Sequence, residues 1–152
     1  MSRVAERLAE LGLTLPEVPA PVAAYVPAVV SGNHVFTAGQ LPLADGALLH
    51  TGVVGRDVSP EDATACARQS AVNTLAAVAS VVDLDRVVRI VKATVFVASD
   101  ASFTGQPAVA NGASELYGDV FGEAGRHARS AVGVPVLPLG APVEVELVVE
   151  IA

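Results

Sequence analysis

One arginine and a row of glutamates near the end of the chain are the residues best suited to chemistry. Arg129 is the last basic residue, and Glu144, Glu146 and Glu150 follow it in a stretch that is otherwise apolar. A guanidinium can bind a carboxylate through two parallel hydrogen bonds, and a carboxylate in an apolar cleft can act as a general base. These residue types could therefore anchor an acidic ligand and move a proton beside it.

The residues around these charges alternate in the manner of β-strands. In residues 143–151 (VEVELVVEI), a period of two places the valines, leucine and isoleucine of one set on one face and the three glutamates on the other. In residues 129–134, Arg129, Ala131 and Gly133 share a face. Prolines and a glycine separate the two stretches, which favours an antiparallel hairpin that places Arg129 in the same sheet as the glutamates.

This pair of strands has two interpretations. Ala131 and Gly133 leave empty space beside the charges, so the strands could line a small pocket with a carboxylate anchor and a carboxylate base. Alternatively, they form an ordinary half-solvated hairpin at a sheet edge, where charge pairs contribute little stability. On the strands alone, the ordinary hairpin is favoured.

Periodicity and turn residues indicate the elements that must position this region. They predict, in chain order, a helix at 2–11, a hairpin at 23–42 that turns at Ser31-Gly32-Asn33, an irregular Gly-rich segment at 44–55, a long helix from an N-cap at Ser59 to about Val82, a strand at 86–99, a helix at 106–125 and the two C-terminal strands. This order predicts a single α+β domain of residues 1–152, in which two long helices cover one face of a mixed sheet. Residues 1–19 would form a short N-terminal helix and linker, and residues 20–152 the core.

Composition limits the class of protein. The chain has 9 basic and 16 acidic residues, a net charge of -7, and no cluster of Lys or Arg, which argues against nucleic acid or an anionic membrane surface as a partner. A single cysteine, Cys66, excludes an internal disulfide, and charged residues interrupt any apolar run at residues 3–10, so we expect a cytoplasmic protein. The apolar content of 52% in a small domain favours a buried interface between subunits.

The other candidates for chemistry are scattered along the chain. His34, His50 and His127 lie in three different segments without metal-ligand spacing, so no metal is predicted. Tyr25 and Asn111 are polar residues in small apolar surroundings. Each could make either a structural hydrogen bond or a contact with a ligand.

Four segments of the chain together resemble the reactive-intermediate deaminase (Rid) family, also called YjgF-like. They are residues 37–43 (TAGQLPL), 67–78 (ARQSAVNTLAAV), 87–97 (VVRIVKATVFV) and 128–152, with an arginine-serine strand followed by an acidic strand. The resemblance covers about residues 20–152 and implies a chorismate-mutase-like α+β fold. It also implies homotrimers with ligand clefts between subunits, and neither a metal nor an organic cofactor.

The resemblance further implies a reaction. The best-understood family members hydrolyse reactive enamines and imines to keto acids and ammonia, so the resemblance implies a hydrolase of the 2-iminobutanoate/2-iminopropanoate deaminase type, acting on a small carboxylate. Arg129 would pair with the substrate carboxylate, and Glu144 would activate water or move a proton, as the catalytic residues. The substrate-binding positions would be Gly39, Tyr25, Asn111 and Ala131, with Tyr25 and Asn111 coming from the adjoining subunit.

Three positions depart from the family pattern. Ala38 stands where deaminase-type members commonly carry serine, Ala131 where they often carry cysteine, and Gly133 where they often carry glutamate. Each change removes a polar group and is expected to enlarge the cavity. With the N-terminal helix, the departures predict a divergent branch, either a deaminase for a different or bulkier substrate or a non-catalytic sensor of small keto acids. A ribonuclease is disfavoured by the acidic balance.

Overall fold

Three α-helices and seven strands are the main elements of the part of the chain that this computed structural model describes, residues 2–18 and 23–152. They are α1 (Arg3–Glu10), β1 (Ala28–Ser31), β2 (His34–Thr37), β3 (Leu43–Ala44), β4 (Ala47–Leu48), α2 (Pro60–Ala79), β5 (Val87–Ala98), α3 (Gln106–Phe121), β6 (Ala128–Val134) and β7 (Val143–Ile151). The predicted order of helices and strands is confirmed, with the Gly-rich segment contributing only the two-residue strands β3 and β4. No helix in the described ranges is long and apolar enough to span a membrane.

Five of the strands form one mixed sheet in the order β1-β2-β7-β5-β6. Its neighbours are antiparallel except for β5 and β6, which run parallel because α3 returns the chain between them. Strands β3 and β4 pair only with each other. The predicted α+β fold, with a mixed sheet and two long helices packed on one face, is confirmed.

The C-terminal strands do not form the predicted hairpin. β6 pairs in parallel with one edge of β5, and β7 pairs antiparallel with the other, so β5 lies between them. The reason is that a strand following a helical crossover pairs in parallel with the strand before that crossover. Arg129 therefore shares a sheet with the glutamates, as predicted, but on a strand that is not their neighbour.

The helices α2 and α3 pack on what we term the covered face of the sheet. Ser59 begins α2 by accepting the Asp62 N–H, with Pro60 in the first turn, as the sequence predicts. The two helices approach closely where Gly112 meets α2, because a β-carbon at Gly112 would collide with the carbonyl oxygen of Thr64. Small residues thus allow backbone-to-backbone packing beneath the sheet.

The side chains of β7 alternate between the covered face and the opposite one. Residues at the odd positions from Val143 to Ile151 are buried, and those between them are half-buried. This alternation confirms the prediction for residues 143–151. We term the second surface the open face, and the strand register places the following residues on it: Val29, His34, Phe36, Lys92, Thr94, Phe96, Ser130, Val132, Glu144, Glu146, Val148 and Glu150.

The N-terminal helix packs against α3 and against the turn at residues 84–86 that leads into β5. Val4 and Leu8 are its buried residues, and the hydroxyl of Ser2 accepts the Ala5 N–H. The carboxylate of Asp85 accepts the N–H groups of Arg3 and Val4, at 3.1 and 2.9 Å. This contact fixes the helix to the core through backbone groups that a helix start leaves free.

Candidate functional site

Arg129 extends from β6 at the sheet edge to the side of α3. Its Nη1 donates to Asn111 Oδ1 at 2.8 Å and to Ser114 Oγ at 3.1 Å. Both hydrogens of Nη1 are thereby used, whereas Nε and Nη2 make no hydrogen bond to the described residues. These two nitrogens form one edge of the planar guanidinium, an edge that can pair bidentately with a carboxylate.

His127 contacts Ser114, one of the two acceptors of Arg129. His127 Nε2 lies 2.9 Å from Ser114 Oγ, and His127 Nδ1 lies 2.7 Å from the carbonyl oxygen of Gly125. Because a carbonyl can only accept, Nδ1 carries a proton, and in the neutral ring Nε2 is the acceptor for the serine hydroxyl. The ring also packs edge-on against Tyr117, with 5.5 Å between ring centroids. We term Asn111, Ser114, His127 and Arg129 the arginine cluster.

Ser114 and His127 are not among the site residues that the sequence predicts. The available signal was the spacing of Asn111 and Ser114, since residues three apart on a helix share one face and can bind the same partner. His127 carried a weaker signal, namely its position two residues before Arg129. Neither signal is decisive without the register of α3 against β6.

Glu144 lies on the open face and is half-buried. Burial raises the pKa of its carboxyl above the ordinary value, and the neighbouring charge of Glu146 raises it further. Gly39 stands directly beside it, because a β-carbon at Gly39 would collide with the Glu144 carboxylate. Two backbone hydrogen bonds between Gln40 and Val145, at 2.8 and 3.0 Å, hold this segment against β7. We term Gly39, Glu144 and Glu146 the glutamate cluster.

The two clusters lie on opposite faces of the sheet. Arg129 pairs with Ala93, whose partner on β7 is Leu147, whereas Glu144 pairs with Phe96. Arg129 and Glu144 are thus two strands apart and three residues apart along the strands, roughly 10 Å in each direction. Because Arg129 shares the face of buried Ala93, and Glu144 faces the other way, one small ligand cannot touch both within a single chain.

The remaining predicted residues fall in different places. Asn111 binds Arg129 of its own chain, so it is not a residue that only an adjoining subunit supplies; α3 brings it there because the helix runs alongside β6. Ala131 lies on the same face of β6 and packs partly buried against the core. Tyr25 is 60% exposed and leads into β1, the edge strand opposite β6. Four strand spacings, roughly 19 Å, separate β1 from β6, the strand that carries Arg129.

The space beside Gly133 is not enlarged, contrary to expectation. A β-carbon at Gly133 would lie 2.9 Å from Gln106 Nε2, so the amide of Gln106 occupies the place that a side chain at 133 would take. Gln106 donates to the carbonyl oxygen of Phe103 at 2.8 Å and to Ser99 Oγ at 3.3 Å. The missing polar group at 133 is thus replaced by an amide from the start of α3.

Comparison with known proteins gives consistent matches. Residues 5–151 match the family model described as "YjgF/chorismate_mutase-like, putative endoribonuclease". Protein TCP17 of Trypanosoma cruzi is 48% identical over 151 residues, which cover 98% of this chain and 94% of that protein.

Solved structures agree with these matches. A protein of unknown function from Agrobacterium tumefaciens is 46% identical, with a TM-score of 0.90 over 97% of this chain and 91% of its own. TdcF of E. coli, solved with bound serine, is 25% identical, with a TM-score of 0.64 over 90% of this chain and 94% of its own. The Agrobacterium protein thus matches a larger share of this chain than TdcF does, and with a higher TM-score. The chain belongs to the YjgF/chorismate mutase-like (Rid) family.

Proposed function

We propose that this protein is an enamine/imine deaminase, which hydrolyses small reactive imino acids to keto acids and ammonia. The observation that carries the proposal is the guanidinium of Arg129, whose Nη1 is held by Asn111 and Ser114 while its Nε and Nη2 edge is unused. Such an arrangement suits a substrate carboxylate, because the fork is oriented before the ligand arrives. The bound serine of TdcF supports the proposal, since serine also combines a carboxylate with a nitrogen on the adjacent carbon.

The proposed active site lies between subunits of a homotrimer. Arg129 and Glu144 face opposite sides of their own sheet, so a second copy is needed to bring a guanidinium from one chain to a carboxylate of another. The open face supports such an assembly, because exposed Phe36 and Val29 lie on it and would be buried by another chain. Tyr25 would reach the same cleft from the neighbouring subunit.

The proposed reaction divides between the two clusters. Arg129 binds the substrate carboxylate, and Glu144, whose pKa is raised by burial, takes a proton from water as the water oxygen bonds to the imine carbon. The electrons of the carbon–nitrogen double bond pass to nitrogen, which takes the proton from Glu144, and a carbinolamine forms. Glu144 then takes the proton of the new hydroxyl group as the carbon–oxygen double bond forms, and passes it to the leaving nitrogen. The carbon–nitrogen bond breaks, releasing ammonia and the keto acid. The backbone at Gly39 contacts the reacting group, since it lies directly beside this carboxylate.

The test is the rate of keto-acid release from freshly generated 2-iminopropanoate. Arg129→Ala is expected to lower kcat/KM by about a hundredfold or more, because it removes one partner of a charge-assisted pair. Arg129→Lys should recover only part of this loss, since an ammonium lacks the planar fork. Arg126→Ala is the matched control, because Arg126 is nearby, highly exposed and paired only with Glu123 at 3.7 Å. Unchanged turnover in an intact Arg129→Ala protein would rule out the proposal.

A non-catalytic sensor of small keto acids is the second candidate. The alanines at 38 and 131, where deaminase-type members carry polar groups, favour it, because the cleft then offers a carboxylate anchor with few groups for chemistry. Glu144→Gln separates the two functions. For a deaminase, it abolishes turnover and leaves the stabilisation of the protein by pyruvate in place; for a sensor, no imine is turned over by either protein, and pyruvate raises the Tm of both.

A further inference from the structure

We infer that Ser114 and His127 are positioning residues that set the orientation of the Arg129 guanidinium for its carboxylate ligand. This assignment rests on the proposed role of Arg129 as the carboxylate anchor. It concerns residues that touch the arginine and not the ligand. They therefore act on the orientation of the guanidinium.

Two hydrogen bonds at Nη1 fix the plane of the Arg129 guanidinium. Arginine has a long, flexible side chain, and a single hydrogen bond to Asn111 would leave the plane of the guanidinium free to tilt. Asn111 and Ser114 are three residues apart on α3, so their oxygens lie on one face of the helix and together engage both hydrogens of Nη1. Two fixed hydrogens define the plane of the group. The Nε and Nη2 edge is thereby held in one direction.

His127 sets the direction of the Ser114 hydroxyl hydrogen. A serine within a helix can donate its hydrogen to a backbone carbonyl one turn earlier, which would change the lone pairs that it offers to Arg129. Instead, Ser114 Oγ lies 2.9 Å from His127 Nε2, which is an acceptor when Nδ1 donates to Gly125. The Ser114 hydroxyl therefore donates its hydrogen to His127 Nε2. The lone pairs of Ser114 are left for Nη1.

The His127 ring is itself held by contacts on two sides. Its ring is fixed at Nδ1 by a backbone carbonyl at 2.7 Å and at its edge by Tyr117, which is fully buried. The Tyr117 hydroxyl is in turn 2.7 Å from Thr74 Oγ1 on α2. A continuous set of contacts therefore runs from the buried helix interface to the half-exposed guanidinium. Such support fixes a binding group more precisely than a surface side chain could.

The experiment measures the Kd of pyruvate by calorimetry on the full chain. Ser114→Ala is expected to weaken binding by about fivefold, the scale of one hydrogen bond. His127→Phe should weaken it to a similar extent, because phenylalanine keeps a ring against Tyr117 but has no acceptor for the serine. Ser114→Thr keeps the hydroxyl and should bind pyruvate within about twofold of wild type. Ser80→Ala is the matched control, since Ser80 Oγ donates to Ala77 O at the end of α2, away from Arg129.

A second readout separates positioning from a general loss of structure. In wild type, the NMR signal of the Arg129 Nε–H should be a single sharp resonance that shifts when pyruvate binds. In Ser114→Ala and His127→Phe it should broaden, with the Tm of each protein close to wild type. Ser114→Thr should retain the sharp resonance.

The outcomes also separate this inference from the proposed function. Wild-type Kd values and sharp Nε–H signals in both Ser114→Ala and His127→Phe would overturn the inference, while loss of binding in Arg129→Ala would leave the proposed anchor standing. Wild-type pyruvate binding in Arg129→Ala would instead overturn the anchor itself. Should His127→Phe not fold, the comparison of Ser114→Ala with Ser114→Thr decides the matter alone.

Discussion

The covered face of the sheet carries small aliphatic side chains packed beneath α2 and α3, whereas the open face carries half-buried glutamates on β7 and exposed Phe36 and Val29 on the two strands beyond it. On the covered face, each buried side chain finds its neighbours within the same chain. On the open face, an aromatic ring and a carboxylate with a raised pKa stand where only a further molecule could shield them. One chain is therefore sufficient for the core, and the open face is where we expect a second copy.

The largest effect is expected on the covered side, at Gly112. A β-carbon there would collide with the Thr64 carbonyl oxygen, a backbone atom that cannot move unless α2 shifts. Gly112→Ala should therefore lower the free energy of unfolding by about 3 kcal/mol, measured by chemical denaturation. Gly118→Ala is the control on the same helix, since a β-carbon at Gly118 meets nothing within 4 Å. It should raise stability by about 0.5–1 kcal/mol, and equal stabilities for the two variants would contradict the close helix packing.

The next effect concerns assembly through the open face. Phe36 is 48% exposed in the single chain. Phe36→Asp should convert the proposed homotrimer to a monomer with an unchanged far-UV spectrum, because burying an unpaired charge costs more than burying the ring gains. Light scattering after size-exclusion chromatography measures the mass. Val136→Asp, at a position that is 75% exposed beyond β6, adds the same charge and should leave the assembly intact. A Phe36→Asp protein of wild-type mass would show that the open face is not the interface.

The same two faces explain what could be predicted from the sequence. The alternation of residues 143–151, the N-cap at Ser59 and the turn at Gly32 are local signals, and each appears in the structure as predicted. They depend on neighbours in sequence and on whether a side chain is apolar. The helix-covered sheet could therefore be predicted without any knowledge of which strands touch.

The partners of β6 could not be predicted in the same way. Alternation shows which residues share a face but not which strand lies beside them, so the position of β5 between β7 and β6 was missed. The contact of Arg129 with Ser114, fifteen residues earlier, depends on the register of α3 against β6. The amide of Gln106 beside Gly133 depends on that register as well. Candidate site residues were therefore identified by type and resemblance, while their grouping into two clusters required coordinates.

The smallest effect is the pH dependence of stability at Glu144. Burial and the charge of Glu146 raise the pKa of this carboxyl in the folded chain, so the folded state disfavours its ionised form. Its contribution to stability is therefore greatest below its unfolded pKa and is lost as the pH rises through the raised value. The side chain of Glu144→Gln stays neutral throughout. The Tm of this variant minus that of wild type should therefore increase between about pH 4 and pH 8. Because the carboxyl is only half-buried and solvent screens it, the gain should be about one or two degrees.

The sign of this effect can report on the proposed cleft. The gain is expected in the Phe36→Asp background, where each chain stands alone and Glu144 is subject to its own burial and to the charge of Glu146. In the assembled protein, a guanidinium from a neighbouring chain would favour the ionised carboxylate, so Glu144→Gln should there lose stability as the pH rises. Glu61→Gln is the control in both backgrounds, since Glu61 is exposed in the first turn of α2, on the other side of the sheet from the open face, so that its effect should not depend on assembly. A gain of equal size in monomer and assembly would mean that no guanidinium lies near Glu144, and it would separate the two clusters in the assembly as they are separated in the chain.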